Sequence, residues 1–246
     1  METEEYQRMQ SLEEGMWWYG GLRAVVTVEL ARRMGMGPKR LLDAGCGTGG
    51  LLRHLSRTFV DLTLVGLDVH APAVSAAQEA VPQAEIKVGS VDQLPFADAS
   101  FDVVTSMDVL CHRGVDERKA LAEMRRCLKP GGILLLNLPA HPWMMAEHDR
   151  QVHTERRYTR AMLAERLAGA GLRTLRTYHW NSLLFPLMVI RRKLLGRWRQ
   201  GSDVIEYPRT LDRLFAGTLA VELALRRRGM VLPFGGSVFA IGLRDG

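Results

Sequence analysis

Apolar residues recur along this chain in two patterns that alternate with each other. Short, nearly continuous apolar runs are typical of strands buried on both faces, and apolar residues three or four positions apart are typical of amphipathic helices. The runs predict strands at 40–44, 62–67, 85–88, 101–106, 133–138, 172–180 and 238–243. The helical spacing predicts helices at 20–34, 51–59, 71–80, 116–128 and 159–170.

Strands that alternate with helices in this way predict an α/β fold with a parallel sheet and right-handed crossovers. The alternation is interrupted between the sixth and the last predicted strands. Residues 181–234 in that interval are rich in Leu and Arg and have a mainly helical pattern. We interpret them as an insertion that covers the substrate side of the sheet.

The composition of the 246 residues is typical of a soluble globular protein, with 47% hydrophobic and 24% charged residues. Cys46, Cys111 and Cys127 form no CxxC pair, which favours a reducing, cytoplasmic environment. The acidic start of the chain contains no apolar signal core. The most apolar run, 183–190, is far shorter than the ~20 residues that a membrane-spanning helix needs.

The net charge of +6 is divided unevenly along the chain. Residues 1–149 carry 15 basic and 20 acidic side chains, a net charge of −5, whereas residues 150–246 carry 18 and 7, a net charge of +11. Two interpretations stay open: a surface for an anionic substrate, membrane or nucleic acid, or a solvated surface in an Arg-rich protein. The basic residues that follow the apolar run 183–190 favour the wall of a substrate pocket over peripheral contact with a membrane.

A glycine-rich turn follows the first predicted strand. Gly45, Gly47 and Gly49 suit a turn that approaches a ligand, because positive φ costs glycine little and no Cβ blocks the backbone. Asp68 ends the second strand, where a carboxylate can accept the hydroxyl protons of a ribose. The glycine spacing and the carboxylate of Asp43 favour S-adenosylmethionine over a dinucleotide, although a fourth glycine keeps the dinucleotide alternative open.

Four segments resemble the class I S-adenosylmethionine-dependent methyltransferases, and among them the methyltransferase type 11-like family. LDAGCGTG at 42–49 resembles the first motif of that family, and VGLD at 65–68 resembles the second. LPFADASFDVV at 94–104 is similar to the loop and fourth strand, and LKPGG at 128–132 is similar to the turn before the fifth strand. The resemblance implies a Rossmann-like fold: a seven-stranded, mostly parallel sheet with an antiparallel last strand and N-terminal helices.

We therefore expect one methyltransferase domain over residues 1–246. Its predicted parts are a helical N-terminal lid at 1–38, a cofactor-binding half at 39–140, and a substrate-side half at 141–246. The helical insertion at 181–234 belongs to the substrate-side half.

The resemblance also implies where S-adenosylmethionine binds. The implied cofactor contacts are Asp43 and the turn residues Gly45, Gly47 and Gly49 for the amino-acid part, Asp68 for the ribose, and Val69, Ser90 and Val91 for the adenine, together with Met107. The chain departs from the family at Ser90, because relatives commonly carry an Asp there that accepts from the adenine amino group. Ser90 accepts more weakly, and Asp92 is a nearby carboxylate that can substitute.

Three histidines are candidates for the base that would remove a proton from an acceptor hydroxyl, because imidazole exchanges protons near neutral pH. His112 follows the fourth strand, and His148 and His153 follow the fifth. A purely structural role is the alternative for His112. A metal site with Asp149 or Glu147 is the alternative for the other two, but simple methyl transfer on this fold needs no metal and we expect none.

Substrate contacts are predicted in two segments. Trp18 and Tyr19 belong to three adjacent aromatic residues that suit a lid over a sulfonium cation or, alternatively, a staple that holds the N-terminal helix on the core. Arg157 and Tyr158 suit an anionic group of the substrate. The surrounding segments resemble one bacterial subgroup of the family, whose substrates are mostly unassigned, so this likeness identifies no acceptor.

The predicted function is S-adenosylmethionine-dependent methyl transfer to a small molecule, with a hydroxyl of a metabolite or lipid-like natural product as the preferred acceptor. The large insertion favours an enclosed pocket for an anionic or hydrophobic substrate. Two alternatives stay open: methylation of RNA or another polyanion, and cofactor binding without methyl transfer, as in a cyclase. The Arg-rich segments contain no recognisable RNA-binding module, so nucleic acid is the weaker partner.

Overall fold

The computed structural model describes residues 15–35, 37, 39–195 and 207–246, without the side chains of residues 148, 194 and 195. The strands are β1 (Lys39–Ala44), β2 (Leu62–Asp68), β3 (Glu85–Val88), β4 (Phe101–Met107), β5 (Leu128–Pro139), β6 (Arg173–Trp180) and β7 (Ser237–Leu243). The helices are α1 (Trp17–Arg33), α2 (Gly50–Thr58), α3 (Ala71–Ala80), α4 (Glu117–Cys127), α5 (Glu147–Gln151), α6 (Arg160–Gly169), α7 (Phe185–Ile190) and α8 (Arg209–Arg227). Short 3₁₀ and π segments cover Pro142–Met144 and Arg191–Leu195.

The seven strands form one sheet in the order β3-β2-β1-β4-β5-β7-β6. The pairs from β3 to β5 are parallel, and β7 is antiparallel to both β5 and β6. This sheet confirms the predicted fold class. The strand order reverses beside β1, and in open α/β sheets a ligand crevice opens beyond the carboxyl ends of the strands at such a reversal.

Helices cover both faces of the sheet, and alternate residues of β1 show how. Leu41 belongs to the same buried cluster as Leu30 of α1 and Leu55 of α2. Its neighbour Leu42 belongs to the cluster on the other face, with Leu121 of α4 and Leu163 of α6. Burial on both faces is the reason why the strands have nearly continuous apolar sequences.

The long strand β5 differs from its sequence prediction. Residues 129–132 were predicted as a turn before the strand, but they lie within β5. A register shift opposite Phe101 and Val103 accommodates the extra residues, because Leu128 pairs with Phe101 while Ile133 pairs with Val103. Gly131 has a φ of +78° within this irregular part of the strand.

The insertion between β6 and β7 is helical in its described parts, as predicted, and its helix α8 packs against α1. The carboxylate of Asp212 in α8 accepts a hydrogen bond from the backbone N–H of Trp17, at 3.0 Å, where α1 begins. Leu219 of α8 lies so close to Gly21 of α1 that a Cβ there would overlap it. No helix in the described ranges is long and apolar enough to cross a membrane.

A buried polar cluster joins α1, β6 and α8. The hydroxyl of Tyr178 donates to the carboxylate of Glu29 at 2.7 Å, and Glu29 is fully buried and pairs with Arg33. The guanidinium of Arg226 lies 3.9 Å from the centroid of the Tyr178 ring and donates to the carbonyl of His179 at 2.9 Å. A buried carboxylate is costly unless it is hydrogen-bonded, so this cluster should hold α1 firmly on the sheet.

Replacing Tyr178 with phenylalanine removes one donor from a carboxylate that stays buried. We expect the free energy of unfolding to fall by about 1–3 kcal/mol, the cost of leaving a buried acceptor unsatisfied. Leu175→Ala, on an exposed part of the same strand, is the control. It should change the free energy of unfolding by less than about 0.5 kcal/mol. Chemical denaturation measures both values, and an unchanged stability of Tyr178→Phe would contradict the role given to the cluster.

Candidate active site

The glycine turn between β1 and α2 has the backbone conformation that its sequence predicts. Gly45, Gly47 and Gly49 have φ values of +89°, +53° and +83°. A Cβ on Gly45 would overlap Val109, and a Cβ on Gly49 would lie 3.1 Å from the backbone of Ala77. A Cβ on Gly47 would meet no protein atom within 4 Å, so Gly47 is the glycine whose missing side chain leaves open space.

Two of the three glycines in the turn line the cavity, and the third does not. Gly45 and Gly47 line a large cavity at the carboxyl ends of the strands. Gly49 is not among the lining residues; it directly precedes α2, and a Cβ there would lie against Ala77 of α3. The cofactor contact that the resemblance implies for Gly49 stays a prediction.

Asp68 lies at the cavity with both carboxylate oxygens already oriented by the backbone. Oδ2 accepts from the N–H of Gly47 at 2.9 Å, and Oδ1 accepts from the N–H of His70 at 3.0 Å. A carboxylate oxygen can accept more than one hydrogen bond, so these contacts are compatible with a ribose hydroxyl at the same group. The side chain is nearly buried, which shields such hydrogen bonds from water.

Asp43 lies on the neighbouring strand β1 and also borders the cavity. Its Oδ1 accepts from the hydroxyl of Thr105 on β4 at 2.7 Å, and both side chains are buried. Thr105 thereby fixes the direction of a carboxylate that can attract the amino group of a ligand. Asp43 and Asp68 thus place two carboxylates at this end of the cavity.

The predicted adenine contacts Val69, Ser90 and Val91 line the cavity, and Met107 does so at the end of β4. Val69 is 72% exposed, so its side chain is accessible from the cavity. Asp92 is not among the lining residues, because its carboxylate accepts from the N–H of Asp116 at 3.1 Å. Ser90 is therefore the better placed of the two alternatives for the adenine amino group.

The cavity has a volume of about 640 Å³ and continues from the glycine turn into the second half of the chain. This is within the usual range for small-molecule sites. Helix α1 borders it with Trp17, Trp18 and Tyr19. The ring of Trp18 stacks on that of Trp180 in β6, with centroids 6.0 Å apart, and this contact holds the aromatic wall over the cavity.

Arg157 and Asp149 form a buried ion pair at the substrate end of the cavity. Two nitrogens of Arg157 donate to Oδ1 of Asp149, at 2.6 and 3.1 Å, and a third donates to the carbonyl of Ala140 at 2.9 Å. Arg192 donates to Oδ2 of the same carboxylate at 3.0 Å. The two guanidinium groups hold the pKa of Asp149 below its usual range against the effect of burial.

Tyr158 does not contact the cavity, although the sequence predicts it as a substrate contact. Its ring is buried in the core under β4 and β5, and its hydroxyl donates to the carbonyl of Leu110 at 3.0 Å. Tyr158 therefore fastens the loop after β5 to the loop after β4. Arg157, the neighbouring prediction, does line the cavity.

The three candidate histidines have different positions. His112 lines the cavity, and burial lowers its pKa, so that its ring is neutral at pH 7. His153 is exposed, has a φ of +56°, and is not among the lining residues. The structure therefore does not bring His153 to the proposed base position. The side chain of His148 lies outside the described residues.

Sequence reasoning missed Asp108, an acidic residue that lines the cavity directly after β4. The amide of Asn137 donates to its Oδ2 at 2.9 Å, and burial raises the pKa of the carboxyl to about 7. Its position immediately after a parallel strand is the signal that could have identified it, since those strand ends meet at one edge. Within the described residues, no three His, Cys, Asp or Glu side chains cluster as a metal site would require.

Comparisons with known proteins agree with this geometry. Residues 42–136 match the family described as "Methyltransferase domain". A probable S-adenosylmethionine-dependent methyltransferase of Mycolicibacterium smegmatis is 31% identical over 181 residues, covering 70% of this chain and 66% of that protein. The phthiotriol/phenolphthiotriol dimycocerosates methyltransferase of Mycobacterium tuberculosis is 34% identical over 104 residues, covering 42% of this chain and 38% of that protein. The chain thus spans less than two thirds of the length of either relative.

Among solved structures, a Haloferax volcanii complex with the Trm112 methyltransferase activator contains a chain of similar fold. The TM-score is 0.64 at 21% identity, and the superposition covers 98% of this chain and 95% of that chain. At this identity the likeness concerns the fold.

A methyl group added at Gly47 should block the cofactor without overlapping the protein atoms around it. We expect Gly47→Ala to weaken binding of S-adenosylhomocysteine at least tenfold, about 1.4 kcal/mol, because the added Cβ enters the open space beside Asp68. Gly131→Ala is a matched control, since Gly131 also has positive φ and open surroundings but lies outside the cavity. Isothermal titration calorimetry measures both affinities. Equal losses in the two variants would show that backbone strain, and not occupied space, causes the effect.

Proposed function

The chain belongs to the class I S-adenosylmethionine-dependent methyltransferases, and we propose that it transfers the methyl group of this cofactor to a small molecule bound in the cavity. S-adenosylmethionine is the cofactor of the family. The observation that carries the proposal is the continuity of the cavity, which borders Gly47 and Asp68 at one end and Arg157 at the other. Cofactor and acceptor can therefore occupy one shared space.

The residues present fit this cofactor, and each has a distinct task in the proposed site. Asp68 would hold the ribose, and Asp43 would attract the amino group. Gly47 leaves room for the part of the cofactor that joins the ribose to the amino acid. Bound S-adenosylmethionine supplies a methyl carbon that the adjacent sulfonium activates for displacement. Trp18 and Tyr19 on α1 border the same space, where aromatic faces attract a cation.

Alignment of the acceptor is the main contribution that the protein can make to such a displacement. Holding the two reacting atoms about 3–3.5 Å apart and in line supplies several kcal/mol of the barrier reduction. The aromatic wall on α1 and the ion-paired Arg157 offer an apolar surface and a fixed positive group for this purpose. Both features support the proposal of a hydrophobic or anionic small molecule as the acceptor.

We propose a hydroxyl as the acceptor group, because proton-accepting side chains line the cavity near the end of β4. A hydroxyl must lose its proton as its oxygen is methylated, and a positioned base contributes about 10²–10⁴-fold to the rate of such a step. Of the two histidines whose side chains are described, His112 borders the cavity and His153 does not. Of these two predicted bases, only His112 is near enough to contact a ligand in the cavity.

Some basic residues of the C-terminal part are buried in ion pairs, and this favours a small acceptor over RNA. Arg157 and Arg226 are buried in ion pairs with Asp149 and Glu222. Residues in such pairs are not available to neutralise phosphates along a surface. The remaining exposed arginines are consistent with a solvated surface.

We also propose that the reaction takes place in the cytoplasm. None of Cys46, Cys111 and Cys127 forms a disulfide, and all three are buried. Three cysteines without a disulfide are typical of a reducing compartment, and this pattern supports the proposal.

Incubation with methyl-labelled S-adenosylmethionine and fractionated small-molecule and RNA extracts tests the proposed function. We expect label in a small-molecule fraction, with an equal amount of S-adenosylhomocysteine, and little change between 50 and 200 mM salt. Asp68→Asn should reduce transfer by raising the KM for the cofactor. Asp61→Asn, at the exposed start of the same strand region, is the matched control and should leave transfer unchanged.

Three other results would contradict the proposal in different ways. Label in RNA, with a loss of binding of about 10³–10⁵-fold over that salt range, would establish a polyanion acceptor. Bound cofactor with a chemically altered small molecule but no S-adenosylhomocysteine would indicate a non-methylating enzyme such as a cyclase. Binding of the cofactor without formation of any product would contradict the proposed transferase function.

A further inference from the structure

Asp108 occupies a strained position that directs its side chain into the cavity. It is the first residue after β4, and its φ of +57° is a left-handed conformation that non-glycine residues adopt infrequently. Two contacts hold the backbone in place: its N–H donates to the carbonyl of Asn137 at 2.8 Å, and its carbonyl accepts from the Sγ of Cys111 at 3.2 Å. Strain of this kind persists where the surroundings over-determine a conformation, often at functional sites.

Trp180 determines which way the amide of Asn137 points. The indole N–H can only donate, and it lies 2.6 Å from Oδ1 of Asn137, so the amide oxygen must face the indole. The amide nitrogen must then face Asp108, where it donates to Oδ2 at 2.9 Å. Oδ2 is therefore an acceptor, and a proton on this carboxyl must be carried by Oδ1.

Oδ1 of Asp108 forms no hydrogen bond with the part of the chain that the structure describes, and its side chain lines the cavity. Asn137 and Trp180 are both fully buried, so the support for Oδ2 is rigid and shielded from water. One carboxylate oxygen is thus fixed by the protein and the other is left for a ligand. This is the arrangement expected of a proton acceptor.

The charged and titratable groups around Asp108 come from every neighbouring element. Burial raises the pKa of the carboxyl to about 7, while the hydrogen bond from Asn137 and the positive charge of Arg157 oppose the rise. The other groups that border the cavity on this side are Asp43 from β1, Cys111 and His112 from the loop after β4, and Asp149 from α5. A base whose pKa lies near the working pH accepts and releases protons most effectively.

We propose that Asp108 is the catalytic base for the acceptor and that Asn137 and Trp180 are positioning residues, an inference that rests on the proposed methyl transfer. The acceptor oxygen forms a bond to the methyl carbon while the carbon–sulfur bond breaks and its electron pair stays on sulfur. The hydroxyl proton passes to Oδ1 of Asp108. The products are the methyl ether, S-adenosylhomocysteine and a protonated carboxyl, which then loses its proton to solvent.

His112 has a different role in this account. Its backbone forms an isolated β-bridge with Thr154, and its carbonyl accepts from Arg156 at 2.6 Å. These contacts tie the loop after β4 to the loop after β5. His112 therefore supports the wall of the cavity and does not take the proton.

The test compares pH–rate profiles of variants, with methyl-labelled S-adenosylmethionine and the acceptor fraction that the wild type labels. Asp108→Asn keeps the size of the side chain and tolerates the left-handed backbone, so the variant should fold. We expect its kcat to fall about 10²–10⁴-fold with little change in KM. In the wild type the rate should decline as the pH falls through about 7, because the base becomes protonated, and Asp108→Asn should lack this decline.

Two controls separate the base from its surroundings. His112→Asn should keep the decline at low pH, whatever its effect on the overall rate. Asp245→Asn removes a carboxylate that is 57% exposed and paired with Arg173, and it should match the wild type in rate and profile.

Carbon-13 NMR of the aspartate carboxyls measures the titration of Asp108 directly, with S-adenosylhomocysteine bound. The signal missing from Asp108→Asn identifies the residue, and its pKa should lie near 7 in the wild type. Asn137→Ala should raise this pKa and move the decline in rate to higher pH, because the carboxylate loses a donor. Trp180→Phe should shift the pKa of Asp108 and the decline in rate in the same direction, by a smaller amount. A merely structural role of Asn137 would lower the rate without moving the profile.

The outcomes distinguish this inference from the proposed function. Full activity of Asp108→Asn, a carboxyl pKa near the ordinary value of about 4, or loss of the low-pH decline in His112→Asn alone would overturn the assignment while leaving methyl transfer intact. If the wild type labels no acceptor, the proposed function itself fails and the assignment fails with it. An unmoved profile in Asn137→Ala would overturn the positioning roles only.

Discussion

The strand order of the sheet reverses beside β1, and this reversal determines where the cavity and its carboxylates lie. Because β2 and β4 run parallel to β1 on its two sides, the carboxyl ends of three strands meet at one edge of the sheet, where a crevice opens. Asp43, Asp68 and Asp108 lie at or directly after those ends. The glycine turn then lets a ligand approach the backbone between them, since Gly47 leaves the space in front of it empty.

The crevice becomes a cavity through elements that are distant in sequence. Helix α8 holds α1 across the sheet, and the aromatic residues of α1 form one wall. Trp18 stacks on Trp180, Trp180 donates to Asn137, and Asn137 donates to Asp108. This series of contacts links the cover of the cavity to the carboxyl that we assign as base. A change in the position of α1 would therefore be transmitted through these contacts to Asp108.

The order of strands and helices, the glycine turn and Asp68 could be predicted from the sequence because each depends on local spacing. The roles of Tyr158 and Asp108 could not, since each depends on a partner from another element. Tyr158 looks like a substrate contact beside Arg157, but its hydroxyl is bonded to Leu110, 48 positions earlier. Asp108 acquires its properties from Asn137, which β5 brings beside the end of β4, and Asn137 is in turn oriented by Trp180 from the end of β6. His153 has a left-handed backbone conformation and lies outside the cavity. Neither property can be predicted from the sequence pattern.

We propose that one cavity holds the cofactor at the strand ends and presents its sulfur to the acceptor space beside Asp108. A crystal structure with S-adenosylhomocysteine bound would show the position of that sulfur. We expect ribose hydroxyls on the carboxylate of Asp68, the amino group near Asp43, and the sulfur facing the space between Asp108 and Arg157. A ligand bound elsewhere, or one whose sulfur faces away from Asp108, would refute this arrangement.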